Sequence, residues 1–142
     1  MKSWLLVGLQ ATILLALLAT GPVWAGGRIA QGVEAAGVAL GLWAMATMGS
    51  RHLRPTPEPA EGARLLRHGP YRWIRHPMYT ATLLAAGALV VDHVSMARAA
   101  IWFGLVTVLV VKLRFEEGLL MAKFPDYADY ARRTRRLVPG LW

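Results

Sequence analysis

Apolar runs long enough to cross a lipid bilayer constrain this chain more than any other feature. One runs from Trp4 to about Val23, a second from Ile29 to about Met48, a third from Met78 to Val91 and a fourth from Met96 to Leu113. About 20 residues at helical rise cover a ~30 Å hydrocarbon core, so the first two are full spans by length. The third is short for a span and must begin inside the preceding polar segment, tilt, or lie against its neighbours. In lipid, backbone N–H and C=O groups must be bonded within the protein, which makes such runs helical. Hydrophobic residues are 56% of the chain and mean hydropathy is +0.40, beyond the range of an ordinary soluble domain. The expectation is an all-α integral membrane protein with about four transmembrane helices, a cytoplasmic loop, and an amphipathic C-terminal tail roofing a cofactor pocket. We read residues 1–142 as a single membrane domain: a two-helix N-terminal hairpin over 1–49, a basic loop over 50–77, and a C-terminal helix pair with its tail over 78–142.

Charge placement gives the orientation. The loop carries Arg51, Arg54, Arg64, Arg67, Arg72 and Arg75, and the tail carries Arg114, Lys123, Arg132, Arg133, Arg135 and Arg136. The opposite side has only Arg28 and Arg98, so the positive-inside rule puts the loop, the tail and both termini in the cytoplasm. Arg98 and Lys112 lie near the ends of the fourth run, where long cationic side chains snorkel to water. The net charge of +8 collects beside apolar runs rather than along a soluble face, which favours a membrane surface and anionic groups over nucleic acid. With no cysteine there is no disulfide, thiolate metal site or cysteine nucleophile, and no metal site is expected. Lys2 and Val23-Trp24-Ala25 also fit a signal peptide, whose removal leaves three spans in the same orientation.

Smaller features fill in the connections. Gly26-Gly27 reads as the turn between the first two runs, and Ser95 as a helix cap. Gly37 and Gly41 form a small-xxx-small pattern that permits close helix contact. Glu34 reads as a hydrated residue near a helix start. Pro55, Pro57 and Pro59 impose an extended connector.

Two polar clusters meet the membrane edge. The first is Gly69-Pro70-Tyr71-Arg72-Trp73-Ile74-Arg75-His76-Pro77-Met78-Tyr79. Pro77 suits the first turn of a helix, so Arg75 and His76 sit at a helix N-terminus, where free N–H groups attract an anion. A cofactor carboxylate or phosphate fits there, and so does a lipid headgroup. The second cluster is Arg114-Phe115-Glu116-Glu117. Lys112 is four residues before Glu116, at ion-pair spacing worth a few tenths of a kcal/mol. Adjacent glutamates point about 100° apart, so one faces a given pocket and the other contacts a basic residue of the loop, or both are solvated at a helix end. Beyond Pro125, Tyr127, Tyr130 and Thr134 share one face of a short interfacial helix, followed by arginines and a terminal Trp142.

The ordered set Gly69-Pro70-Tyr71, Arg75-His76-Pro77-Met78-Tyr79, Glu116-Glu117, Phe124, Tyr127 and Tyr130 resembles the isoprenylcysteine carboxyl methyltransferase family and the related phospholipid methyltransferases. The resemblance covers roughly Leu65 to Trp142. It implies a membrane enzyme using S-adenosylmethionine, held at the cytoplasmic end of the last spans. By motif match, Tyr71, His76, Pro77, Met78, Tyr79 and Glu116 line the cofactor site, Arg75 adds positive charge, and Leu65 and Leu66 flank the adenine. An arginine before the glutamates orients substrate in the eukaryotic members; here Lys112 and Arg114 are the candidates. Pro125 stands where the family usually has glycine. A carboxylate acceptor needs no base, whereas an amine or thiol needs one, and Glu117 is nearest. The acceptor implied is lipophilic: a lipid, an isoprenoid acid, a thiol or a prenylated protein. The Ala-, Arg- and Gly-rich composition points to a bacterial inner membrane. The alternatives are an NADPH-dependent lipid reductase and a non-catalytic lipid-binding membrane protein.

Overall fold

The computed structural model describes residues 2–49, 62 and 64–138. The proline run at 55–59, Arg51 and Arg54 of the loop, and residues 139–142 lie outside the described residues. Each apolar run is a helix: α1 (Lys2–Ala19), α2 (Arg28–Met48), α3 (Pro77–Asp92) and α4 (Met96–Lys123). A 3-10 turn (Gly69–Arg72) precedes α3, and α5 (Tyr127–Arg133) follows α4. Among the described residues there is no strand, only a single parallel bridge between Ile74 and Arg135. Of these helices α2 and α4 are long and apolar enough to cross a membrane; α1 and α3 are apolar but shorter.

Local chemistry sets the helix ends. Pro77 opens α3, where its missing N–H breaks no bond. The Ser95 hydroxyl accepts the Arg98 N–H at 3.1 Å and caps α4 as the sequence implies. Gly69 has φ +57°, a left-handed conformation that lets the chain turn sharply into the 3-10 segment.

The helices pack as two close pairs, α2 on α3 and α1 on α4, with α3 against α4 joining them. Consecutive α1 and α2 thus each find their main partner in the C-terminal half. Leu17, Ala86, Val90, Leu105 and Leu109 form the buried core where α1, α3 and α4 meet. Small residues make the other pair. A Cβ on Gly37 would lie 2.9 Å from the Ala85 amide nitrogen and 3.0 Å from the Ala81 carbonyl oxygen, so the two backbones touch at this point. Much of the outer surface stays apolar, with Trp4, Leu5, Leu15, Leu42 and Phe103 all exposed. A helix apolar on all sides belongs in a core or in lipid.

Three polar residues are placed differently from their sequence reading. Arg98 does not snorkel. It is buried, and its guanidinium donates to the Leu89 carbonyl at 2.8 Å and to the Leu17 carbonyl at 3.3 Å. Those carbonyls belong to the last turns of α3 and α1, so one cation neutralises two helix C-termini, a stronger pull than water at that depth. Lys112 is also buried, because Gln10 of α1 accepts its ammonium at 2.9 Å. Glu34 is buried rather than hydrated, and it accepts the Ala25 N–H at 2.9 Å in the turn before α2.

The α2–α3 contact gives a direct test. Gly37→Ala should lower stability by about 1–3 kcal/mol through overpacking against backbone. Gly32→Ala, whose added methyl meets nothing within 4 Å, should leave it unchanged or slightly raised. Thermal melting of the two variants in detergent checks the difference.

Candidate active site

The end of α4 and the start of α3 converge because the tail is stitched to the segment before α3. The Arg75 N–H donates to the Arg135 carbonyl at 2.7 Å, the His76 N–H to the Arg136 carbonyl at 3.1 Å, and the Arg135 N–H to the Trp73 carbonyl at 3.0 Å. Thr80 adds a side-chain bond to the Leu137 carbonyl at 2.7 Å. Tyr127, Tyr130 and Thr134, the shared face of α5, are all buried against this region. The Tyr130 hydroxyl donates to the Tyr71 carbonyl at 2.8 Å and so holds the 3-10 turn to α5.

Glu116 and Glu117 point to different tasks. Glu117 accepts from Arg75 Nε at 2.7 Å and from Arg136 Nε at 2.9 Å. The Arg75–Glu117 pair is close to fully buried, with both side chains about one-tenth exposed. Arg75 Nη1 also donates to the carbonyls of Ala131 and Thr134, at 2.7 and 2.6 Å. Its guanidinium is therefore engaged by α4 and the end of α5. Glu116 faces the other way, where Tyr79 donates its hydroxyl at 2.7 Å. Its side chain is 26% exposed, which leaves an oxygen accessible.

His76 sits between the two carboxylates. Its Nδ1 is 3.5 Å from Glu116 and its Nε2 is 3.6 Å from Glu117. The imidazole stacks parallel on the Tyr79 ring, centroids 5.3 Å apart. Burial alone would push its pKa down, but the contacts with Glu116 and Glu117 outweigh that and raise it above the usual histidine value. His76 therefore tends to the cationic form. The first turn of α3 is less open than its sequence implies: the Tyr79 and Thr80 N–H groups bond back to the His76 carbonyl, and Pro77 has none.

A cavity of about 270 Å³ opens beside these groups, near the lower bound of small-molecule sites (~300 Å³). Tyr71, Arg75, His76, Pro77, Met78, Tyr79, Glu116 and Lys112, all singled out from sequence, lie along it. Leu65 and Leu66 are half-buried in an extended segment and do not line it, nor do Arg114, exposed on α4, and Glu117. Val7, Gln10, Ala11 and Leu14 of α1, with Met48 of α2 and Thr82 of α3, complete the wall. Sequence reasoning missed these residues. Their signal was the helical spacing of Val7, Gln10, Ala11 and Leu14, with an amide set in an apolar face. Lys112 lies where α1 meets this wall, its ammonium 5.5 Å from the Tyr79 ring centre and bonded to Gln10. The expected Lys112–Glu116 pair is replaced by that bond.

The Tyr71 hydroxyl, buried beside the cavity, has no hydrogen-bond partner among the described residues, whereas His76 Nε2 faces Glu117 at 3.6 Å, a residue outside the cavity lining. Burial, with Glu116 nearby, pushes the Tyr71 hydroxyl pKa up, so it stays a neutral donor. The set holds an unfilled hydroxyl donor, an imidazole, a carboxylate acceptor, and an apolar wall of Val7, Ala11, Leu14, Met48 and Met78. Those features fit a ligand that carries a carboxylate, an ammonium and a flat apolar ring system, which is the make-up of S-adenosylmethionine.

Residues 30–122 match the isoprenylcysteine carboxyl methyltransferase (ICMT) family. The chain is 38% identical over 80 residues to the cobalt-zinc-cadmium resistance protein CzcN of Cupriavidus metallidurans, covering 54% of this chain and 36% of that protein. It is 31% identical over 134 residues to the nickel-cobalt-cadmium resistance protein NccN of Alcaligenes xylosoxydans xylosoxydans, covering 92% of this chain and 61% of that protein. The chain thus spans less than two thirds of the length of either relative. No solved structure matches it.

The two glutamates should separate in stability. Glu117→Ala strands buried Arg75 and should cost on the order of 3 kcal/mol. Glu116→Ala removes one bond from Tyr79 at a partly exposed site and should cost about 1 kcal/mol. Melting of both variants in detergent checks the order.

The raised His76 pKa adds a pH dependence with a definite sign. Its stabilising contribution is complete below about pH 6.5, the unfolded histidine value, and fades as pH rises through the higher folded value. Stability measured from pH 5 to 9 should therefore fall more steeply with rising pH in the wild type than in His76→Gln.

Proposed function

We propose that this chain, which belongs to the isoprenylcysteine carboxyl methyltransferase family, is an integral-membrane methyltransferase that uses S-adenosylmethionine on a lipophilic acceptor. The observation that carries this reading is the single cavity shared by Tyr71, His76, Met78, Tyr79 and Glu116, which come from segments far apart in the chain. In this reading α1 to α4 all cross a bacterial inner membrane. The loop, the tail and both termini face the cytoplasm.

Bound S-adenosylmethionine would supply an electrophilic methyl group on a sulfonium. Methyl transfer by in-line displacement asks the protein chiefly to bind and align two partners. His76 and the Tyr71 hydroxyl offer donors to the cofactor carboxylate. Glu116, aligned by Tyr79, accepts from the ammonium or the ribose diol. Met48, Met78 and the α1 side chains give an apolar wall to the adenine. We assign Arg75 and Glu117 to positioning, because each is bonded to several protein groups that hold the tail over the site.

Acceptor chemistry follows from what faces the remaining wall. Lys112, buried beside Gln10, is a cation at the α1 side of the cavity. It suits an acceptor carboxylate, whose transfer needs no base. A thiol or amine would need a free general base, and Glu117 already accepts from two guanidiniums. We therefore favour O-methylation of a lipophilic carboxylate over methylation of a thiol or lipid amine. Arg114, exposed and away from the cavity, is left without a substrate role. The relatives are named for metal resistance. In a cysteine-free chain we place any such role downstream of methyl transfer to a membrane component rather than in metal binding by this chain.

Calorimetry on protein in lipid nanodiscs tests the cofactor. Saturable S-adenosylmethionine binding is expected in the wild type and in Arg114→Ala. It should be lost or weakened at least about tenfold in Glu116→Ala and His76→Ala, the effect of losing one charge-assisted contact in a buried site. Folded wild type that binds NADPH and not S-adenosylmethionine would overturn the assignment.

A further inference from the structure

A second cavity, of about 390 Å³, lies at the tail and is lined by Arg67, Arg72, Asp129, Tyr130, Arg133 and Thr134. It shares no lining residue with the cavity described above. Its inner wall is built, not incidental. Thr134 Oγ1 donates to the Tyr130 carbonyl at 2.7 Å, and the Tyr130 hydroxyl is fixed on the Tyr71 carbonyl at 2.8 Å.

The charges around it do not cancel. Asp129 is paired with Arg132, on the exposed side of α5. Arg67 is 3.4 Å from Asp126, but both side chains are largely exposed and such a pair is weak. Among the described residues the Arg72 guanidinium meets the Trp73 ring, 5.7 Å from the ring centre. The Arg133 guanidinium makes no hydrogen bond or ion pair to another described residue. Three guanidiniums around one concavity are a donor set for a phosphate.

The surroundings say where that phosphate comes from. Trp73 packs on Trp43 near the C-terminal end of α2, ring centres 6.1 Å apart, and both indoles remain about half exposed. Exposed tryptophans at the end of an apolar helix mark the level of lipid headgroups. We propose that Arg67, Arg72 and Arg133 bind the phosphate of an anionic phospholipid in the cytoplasmic leaflet. Trp43 and Trp73 set the depth of that lipid. The lipid is a bound ligand at the tail, separate from cofactor and acceptor, and the site does not depend on the methyltransferase reading.

The test uses protein reconstituted in equal parts phosphatidylglycerol and phosphatidylcholine, with retained lipid counted by native mass spectrometry. Wild type should retain phosphatidylglycerol preferentially. The Arg72→Gln/Arg133→Gln double variant should lose that preference at least about tenfold, since each cation near the surface contributes about a factor of five. Arg28→Gln, at the opposite end of α2, and the charge-keeping Arg72→Lys/Arg133→Lys pair should both retain it. Neither arginine is buried, so all variants should melt as the wild type does. Equal phosphatidylglycerol retention by wild type and the glutamine double variant would overturn the site. Displacement of the lipid by millimolar inorganic phosphate would overturn the lipid as its occupant.

Discussion

The arrangement turns on one carboxylate. Glu117 takes a guanidinium from the segment before α3 and another from the tail after α5. Without it Arg75 would be a buried cation bonded only to carbonyls and a hydroxyl, and the tail would lose its charged tie to α4 through Arg136. A buried pair of this kind adds little net stability compared with apolar packing, but breaking it is costly. Its consequence is a docking of the tail in which both arginines reach the same carboxylate. That docking brings Arg135 and Arg136 carbonyls to the N–H groups of Arg75 and His76, and it fixes the imidazole beside Glu116.

Arg98 does the same work at the far end of the bundle. Two helix C-termini, each carrying partial negative charge and orphan carbonyls, face one guanidinium. Association of apolar helices in lipid gains little from the hydrophobic effect, so close backbone packing and polar contacts must hold them. The α2–α3 pair uses the first means, through Gly37 against Ala81 and Ala85. The α1–α4 pair uses the second, through Arg98 at one end and the Lys112–Gln10 bond at the other. Both cations looked like solvent-seeking residues in sequence because their acceptors lie on other helices.

That difference explains what was legible and what was not. Helix positions followed from apolar run length, and the Ser95 cap and the Pro77 start followed from local chemistry, which sequence carries directly. The opposed directions of Glu116 and Glu117 followed from helical geometry. The engagement of Arg75 by α5, the burial of Glu34 and the departure of Leu65, Leu66 and Arg114 from the cavity depend on tertiary placement. No local spacing encodes them. The contribution of α1 was also hidden, since a stripe of Val7, Gln10, Ala11 and Leu14 reads as ordinary packing until Lys112 is seen to meet it.

The place of α1 has a consequence for how the site differs among relatives. The family match begins at residue 30, after α1 has ended. The polar groups assigned to the cofactor come from the matched region, whereas Gln10 and its apolar neighbours on α1 come from outside it. A cavity with one wall inside the family pattern and one outside it can keep its cofactor chemistry while the other wall varies. Gln10 acts on that second wall by fixing the direction of Lys112. An amide there accepts from the ammonium without adding a counter-charge. A carboxylate at the same position would cancel the charge, and an apolar residue would leave a buried ammonium short of partners. The identity of residue 10 thus sets how Lys112 is held at the α1 side of the cavity.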